Sequence, residues 1–211
     1  MAASAYPAEA IGELARLLDA CGARWVIGGS TGLALRGASL DRAPRDIDIY
    51  ADEEDASRIH ARLASYKQDE PRYSETDRYK SILSHYAIGG AVVELVGNFR
   101  ICSAGSRYHT EVGQMLHPAG DDCQVPGGRV RLVPLGHELI FNVLRERHDR
   151  CQLIGEWIRR QPTHHLPPLR SLLARNALTQ AAIGQIAHAV NLSVPELLAS
   201  PSGPGLSMEG N

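Results

Sequence analysis

Two aspartates one residue apart, Asp46 and Asp48, alternate with Ile47 and Ile49 ahead of Tyr50. A strand has a period of two, so this spacing puts both carboxylates on one face and both isoleucines on the other. Like charges held that close repel unless a cation lies between them. Hard divalent ions such as Mg2+ take oxygen ligands and bridge carboxylates to substrate phosphates. Upstream, the apolar run Trp25-Val26-Ile27 ends in Gly28-Gly29, followed by Ser30 and Thr31. Paired glycines let backbone amides approach an anion, and Ser30 stands where a helix should begin. A phosphate cradle (Gly28, Gly29, Ser30) beside an acid pair points to metal-assisted chemistry on a nucleotide.

A third acid, Glu94, interrupts the apolar run Val92-Val93-Glu94-Leu95-Val96. A carboxylate there needs a partner, and an ion shared with Asp46 and Asp48 would supply one. Lys80 lies on the preceding arm, where a lysine could hold a triphosphate as a point charge. Arg36, Arg42 and Arg45 crowd the approach to Asp46, and guanidinium forks suit phosphate oxygens.

The elements that must position these groups can be read from periodicity. Residues 8–21 have the apolar spacing of a core-facing helix stopped by Gly22. A strand, a short helix closed by Gly37, the Asp46–Tyr50 strand and a helix from Asp52 to about Tyr66 follow. Residues 67–78 read as loop, and Tyr79–Tyr86 with Ala91–Val96 as a hairpin turning at Gly89-Gly90. Asp121-Asp122 reads as a turn, and Val125–Val133 as a further strand or hairpin. From Pro134 the composition shifts. Helices are expected over 135–147, 152–160, 169–177 and 178–190, with a break at Pro162–Pro168. The pair His164-His165 shows no acid at metal-ligand spacing and reads as loop. Thr179–Leu198 has a helix-turn-helix outline, but its second helix is short, contains Pro195 and Glu196, and lacks arginines for base edges.

The Gly29-Ser30 turn, the Asp46/Asp48 strand and the later acid Glu94 together resemble the nucleotidyltransferase superfamily that includes DNA polymerase beta. The wording GGSTGLALRG…DIDIY is most similar to small bacterial members, the antibiotic nucleotidyltransferases and the AbiEii/MenT toxin type. The resemblance implies an α/β (α+β) fold, a nucleotidyltransferase-type mixed sheet with flanking helices followed by a C-terminal helical part. It implies a catalytic domain over 1–134 and a helical domain over 135–199. The glycine-, proline- and serine-rich residues 200–211 are expected to be a disordered tail. It further implies an NTP substrate, one or two Mg2+ ions on Asp46, Asp48 and Glu94, and a functional lysine matching Lys80. Arg145, Arg147, His148 and Asp149 resemble a charged, cleft-facing segment of related enzymes.

Charge and composition narrow the partners. The formal net charge is −2, so any nucleic-acid surface must be local. Four scattered cysteines without a CxxC pair suit reduced thiols. No apolar run is long enough to span a bilayer and no basic-plus-apolar leader is present, so a cytoplasmic protein without membrane or DNA partners is expected. The acceptor is a hydroxyl of a small molecule such as an antibiotic, or a tRNA 3′ end. A catalytically inactive nucleotide-binding protein is the third reading.

Overall fold

The β-branched and aromatic segments pair into one mixed sheet in a computed structural model that describes residues 6–199. The tail expected over 200–211 lies outside the described residues. Helix α1 (Ala8–Leu18) buries Ile11, Leu14 and Leu18 and delivers the chain to β1 (Trp25–Ile27). Gly22, between them, takes a left-handed φ of +66°. Helix α2 (Gly29–Leu35) is followed by β2 (Asp46–Ala51) and α3 (Glu53–Arg62). Next come β3 (Arg72–Glu75), β4 (Tyr79–Ile88), β5 (Ala91–Ser103) and β6 (Ser106–His109). After a π-helical turn at Val112–Leu116, β7 (Asp121–Val125) and β8 (Gly128–Leu132) form a hairpin.

Among the described residues, eight strands run in the order β3-β4-β5-β2-β1-β8-β7, with β6 added to β5. Strand β2 is central. It runs antiparallel to β1 and parallel to β5. Its alternation sorts two cores. Ile47 and Ile49 pack with Ile11, Leu14 and Ile59 of α1 and α3. Tyr50 joins the opposite core, with Phe99 and the C-terminal helices.

Those helices are α4 (Leu135–Leu144), α5 (His148–Arg160), α6 (Pro162–Arg175), α7 (Gln180–Ala189) and α8 (Val194–Leu198). Every residue of α4 is buried, as expected for a helix enclosed between sheet and neighbouring helices. Cross-links reinforce that packing. The Arg107 amide donates to the Ala177 carbonyl at 2.7 Å, and the His109 amide to Asn176 Oδ1 at 2.8 Å.

Three local expectations are corrected. The segment 67–78 contains β3, which gains its order from pairing with β4. Asp121-Asp122 opens a strand, held by register against Leu132 and Arg131. Pro162 does not break the chain but starts α6, and Pro167 and Pro168 lie inside that helix. Proline at the first position costs nothing because that amide has no helical partner. The outline at Thr179–Leu198 is indeed two helices, the second closed by a Ser193/Glu196 capping box. It packs inward: Leu197 is fully buried and the Arg170 guanidinium donates to the Leu197 and Glu196 carbonyls. No helix among the described residues is long and apolar enough to cross a membrane, and the four cysteines are free thiols.

Candidate active site

Strand register brings the acids together. In the parallel β2–β5 pair Asp48 stands opposite Glu94, and Asp46 opposite Val92. Opposed residues of neighbouring strands share a face, so Asp46, Asp48 and Glu94 all project from one side of the sheet. They line a cavity of about 410 Å3 with Gly29 and Ser30. A second cavity, about 690 Å3, adjoins it at Ser30 and Asp46 and is lined by Arg42, Arg45, Arg147 and Arg150.

The glycine turn is held by contacts the sequence did not reveal. The Gly29 amide donates to Glu138 Oε1 at 2.7 Å, so it is engaged by a carboxylate of α4. The Gly28 amide donates to the Asp48 carbonyl at 3.1 Å. Gly28 therefore lies behind the cavity, where an added Cβ would stand 2.8 Å from the Tyr50 ring and 3.1 Å from Glu138 Oε1. Both glycine amides, read from the sequence as able to approach an anion, are engaged here by protein oxygens. What glycine supplies at 29 is clearance: φ is +63°, and a methyl there would collide with the Asp48 carboxylate. Thr31 Oγ1 donates to the Asp46 carbonyl at 2.7 Å, tying α2 to the acid strand. Arg150 donates to Ser30 Oγ at 2.9 Å.

Four acids crowd this face. Burial, then the charges of Asp46, Glu94 and Glu138, push the Asp48 carboxyl up from 3.8 to about 7. Burial also raises Glu94 and Glu138. Glu138, 1% exposed, has further support from Asn142, whose Nδ2 lies 3.3 Å from Oε2. Arg145 lines the same cavity, and its guanidinium sits 4.9 Å from the centroid of the Phe141 ring. So much negative charge on so few positive partners is the donor set of a hard divalent cation. The three sequence-predicted ligands are not drawn in to one ion's radius, however. Among the described residues, the group whose ligand atoms all lie within 4.8 Å of one another is a different one, Asp121, His164 and His165. Glu94 leans toward His85, with Oε2 3.5 Å from Nε2. His85 Nδ1 in turn lies 2.6 Å from Asp69 Oδ2.

Lys80 is not brought to this site. It pairs with Glu75, while Tyr79, Ser81 and Leu83 line the cavity. The residues missed were Glu138, Arg150 and His85. Glu138 carries the signal that exposed Glu94, a carboxylate in an apolar run (Leu135-Gly-His-Glu-Leu-Ile-Phe). His85 was recoverable from turn length: a two-residue Gly89-Gly90 turn pairs Ile88 with Ala91, and hence His85 with Glu94.

A mixed sheet that carries these acids on adjacent strands beneath a glycine turn is the fold seen in nucleotidyltransferase structures. More narrowly, the aminoglycoside-2''-adenylyltransferase family profile matches residues 10–101, which hold the turn, both aspartates and Glu94. A candidate nucleotidyltransferase from Thermotoga maritima has a similar structure, with 22% identity and a TM-score of 0.56 over 72% of this chain and 91% of that one. The antibiotic-resistance factor ANT(2'')-Ia aligns at 14% identity and a TM-score of 0.43, over 86% of this chain and 89% of its own. The lincosamide antibiotic adenylyltransferase LnuA aligns at 11% and 0.39, over 59% and 78%. The Thermotoga structure supports the fold; the other two likenesses are too distant to add to it. No curated protein matches the chain.

Proposed function

We propose that this protein transfers a nucleoside monophosphate from an NTP to a hydroxyl of a small cationic acceptor of the aminoglycoside kind, releasing pyrophosphate. The observation that carries the reading is the juxtaposition of an arginine-rich cavity, which also holds Asp41 and Asp149, with a smaller carboxylate-rich one, the two sharing Ser30, Asp46 and Arg150 at their border. In the larger cavity Arg42, Arg45 and Arg150 suit the polyanionic end of a nucleotide, while Arg147 is paired with Asp149. Four carboxyl groups in the smaller cavity, set against Arg145 and Arg150, suit an acceptor rich in ammonium groups. The family profile over residues 10–101 is named for an activity on such acceptors.

Asp46 and Asp48, with Glu94, would hold Mg2+, which when bound neutralises phosphate charge and polarises the reacting centre. The remaining roles belong to the chain. Arg150 orients the Ser30 hydroxyl at the mouth of α2, and both lie between the two cavities. Glu94, kept ready to accept a proton by its raised affinity for one, is the general base for the acceptor hydroxyl. The Asp69–His85 pair steadies that carboxylate from behind. Glu138 is a positioning residue that fixes the Gly29 turn against Asp48.

A tRNA acceptor draws less support. Of the arginines that could form an RNA surface, Arg36 is tied to Asp121, Arg159 to the Ala189 carbonyl, Arg160 to Glu156 and Arg175 to Glu111. The test is to offer each labelled NTP with Mg2+ to a panel of aminoglycosides and lincosamides and to total RNA. Label is expected on an aminoglycoside, in a reaction abolished by Asp46→Asn. Label on RNA alone, or pyrophosphate release from neither, would replace this reading with the toxin-like or the inactive one.

A further inference from the structure

We infer that the chain holds a second, separate metal site for a borderline transition ion of the zinc class, built by Asp121, His164 and His165 at the junction of β7 and α6. One ligand atom from each lies within 4.8 Å of the others. Asp121 Oδ1 is 2.7 Å from His164 Nε2, and the two imidazole rings have centroids 4.5 Å apart. The residues come from chain segments 43 positions apart, so the fold itself assembles the group. Two imidazoles and one carboxylate are a ligand set that zinc-class ions accept, leaving further positions for water.

The surroundings prepare these ligands. Arg36 donates to the other carboxylate oxygen, Oδ2, at 2.5 Å and to the Val133 carbonyl at 2.7 Å. Its side chain is 11% exposed. That contact fixes the carboxylate plane with Oδ1 turned to His164 Nε2, so an ion bound here would replace the hydrogen bond between them. His165 is 9% exposed, so its ring is held within the fold at the base of the group. Cys123 is two residues from Asp121 on the same face of β7 and lines the same cavity of about 370 Å3. The cavity gives an ion an entry path. A metal here would clamp the edge strand β7 to the helical part through α6. It shares no residue with the acid cluster of the candidate active site and stands whatever the transfer reaction proves to be.

The experiment uses untagged, chelator-stripped full-length protein carrying Asp46→Asn and Asp48→Asn, which removes the acid-pair site. Zn2+ is titrated against a chromophoric chelator, and Co2+ is added separately as a spectroscopic probe. One equivalent of Zn2+ is expected, with Co2+ giving the intense visible bands of a low-coordinate site and thermal unfolding shifting upward by several degrees. Adding His164→Gln and His165→Gln is expected to weaken Zn2+ binding at least 100-fold and abolish the thermal shift. Asp121→Asn, which keeps the side-chain shape, is expected to weaken binding about 10-fold or more. Circular dichroism confirms that each variant is folded; if the double histidine variant is not, Asp121→Asn decides. Absence of a Zn2+ equivalent in the parent, or an equivalent that survives these substitutions, would overturn the inference.

Discussion

Asp48→Asn should stabilise the metal-free protein while abolishing transfer. A carboxyl whose pKa moves from 3.8 unfolded to about 7 folded binds its proton more tightly in the native state. Stability therefore falls as pH rises from about 4 to about 7, because the unfolded chain ionises this group first. At pH 8 the displacement, about three pH units at 1.36 kcal/mol each, costs ~4 kcal/mol of folding free energy. At pH 5 the native carboxyl is still protonated and the cost is only about a third of that. An amide of the same shape carries no such cost. In chelator, thermal unfolding of the variant should occur roughly 8–16 °C above the parent at pH 8, and about 3–6 °C above it at pH 5. Added Mg2+ should stabilise the parent and leave the variant unmoved, since the ion removes the repulsion that the substitution also removes. A gain equal at both pH values, or a variant less stable than the parent at pH 8, would refute the view that Asp48 is held against its own charge.

Other substitutions separate the roles of neighbouring groups. Gly29→Ala, at φ +63° and against Asp48, should abolish transfer and cost more than ~2 kcal/mol, whereas Gly22→Ala, at φ +66° in open space, should cost about 1 kcal/mol and spare activity; unfolding curves and initial rates compare them. Arg150→Ala, which frees the Ser30 hydroxyl, should raise KM for the NTP about tenfold with little change in melting temperature; an unchanged KM would remove Arg150 from the nucleotide side. His137 is buried among Tyr50, Tyr108 and Phe141 and its pKa is held down to about 3 by burial. Its neutral form is favoured in the native state, so stability is lost as pH falls below about 6.5. Near pH 4.5 the loss reaches ~3 kcal/mol. His137→Gln should flatten the acid limb of the stability profile, and an identical limb in both proteins would exclude His137 as its source.

The candidate site also explains why α4 is wholly buried yet carries Glu138 and Asn142. Both side chains turn toward the strand face that bears Asp48, where the Gly29 amide and each other satisfy them. Without Glu138 the Gly29 amide would be left inside the protein with no acceptor, a loss of about 1–3 kcal/mol. The helical part is thus part of the site's construction as well as a wall of the cleft.

Short-range rules made the sequence legible where a single strand decides the outcome. Asp46 and Asp48 had to share a face, and Ile47 and Ile49 the other, because a strand alternates whatever it packs against. Glu94 was visible because an acid in an apolar run needs a partner, and the diglycine before Ser30 because only such a turn brings α2 that close to the acid strand. The identity of that partner was not visible. Lys80 and His85 lie on the same strand, but only the β4–β5 register puts His85 opposite Glu94, and only the β3–β4 register puts Lys80 opposite Glu75. Asp121 and His164 read as turn and loop because nothing within a few residues of either shows the other. Alternation and capping are local properties, carried by each segment's own backbone. Which side chains meet across strands and helices depends on register and docking, and those are settled only when the whole core closes.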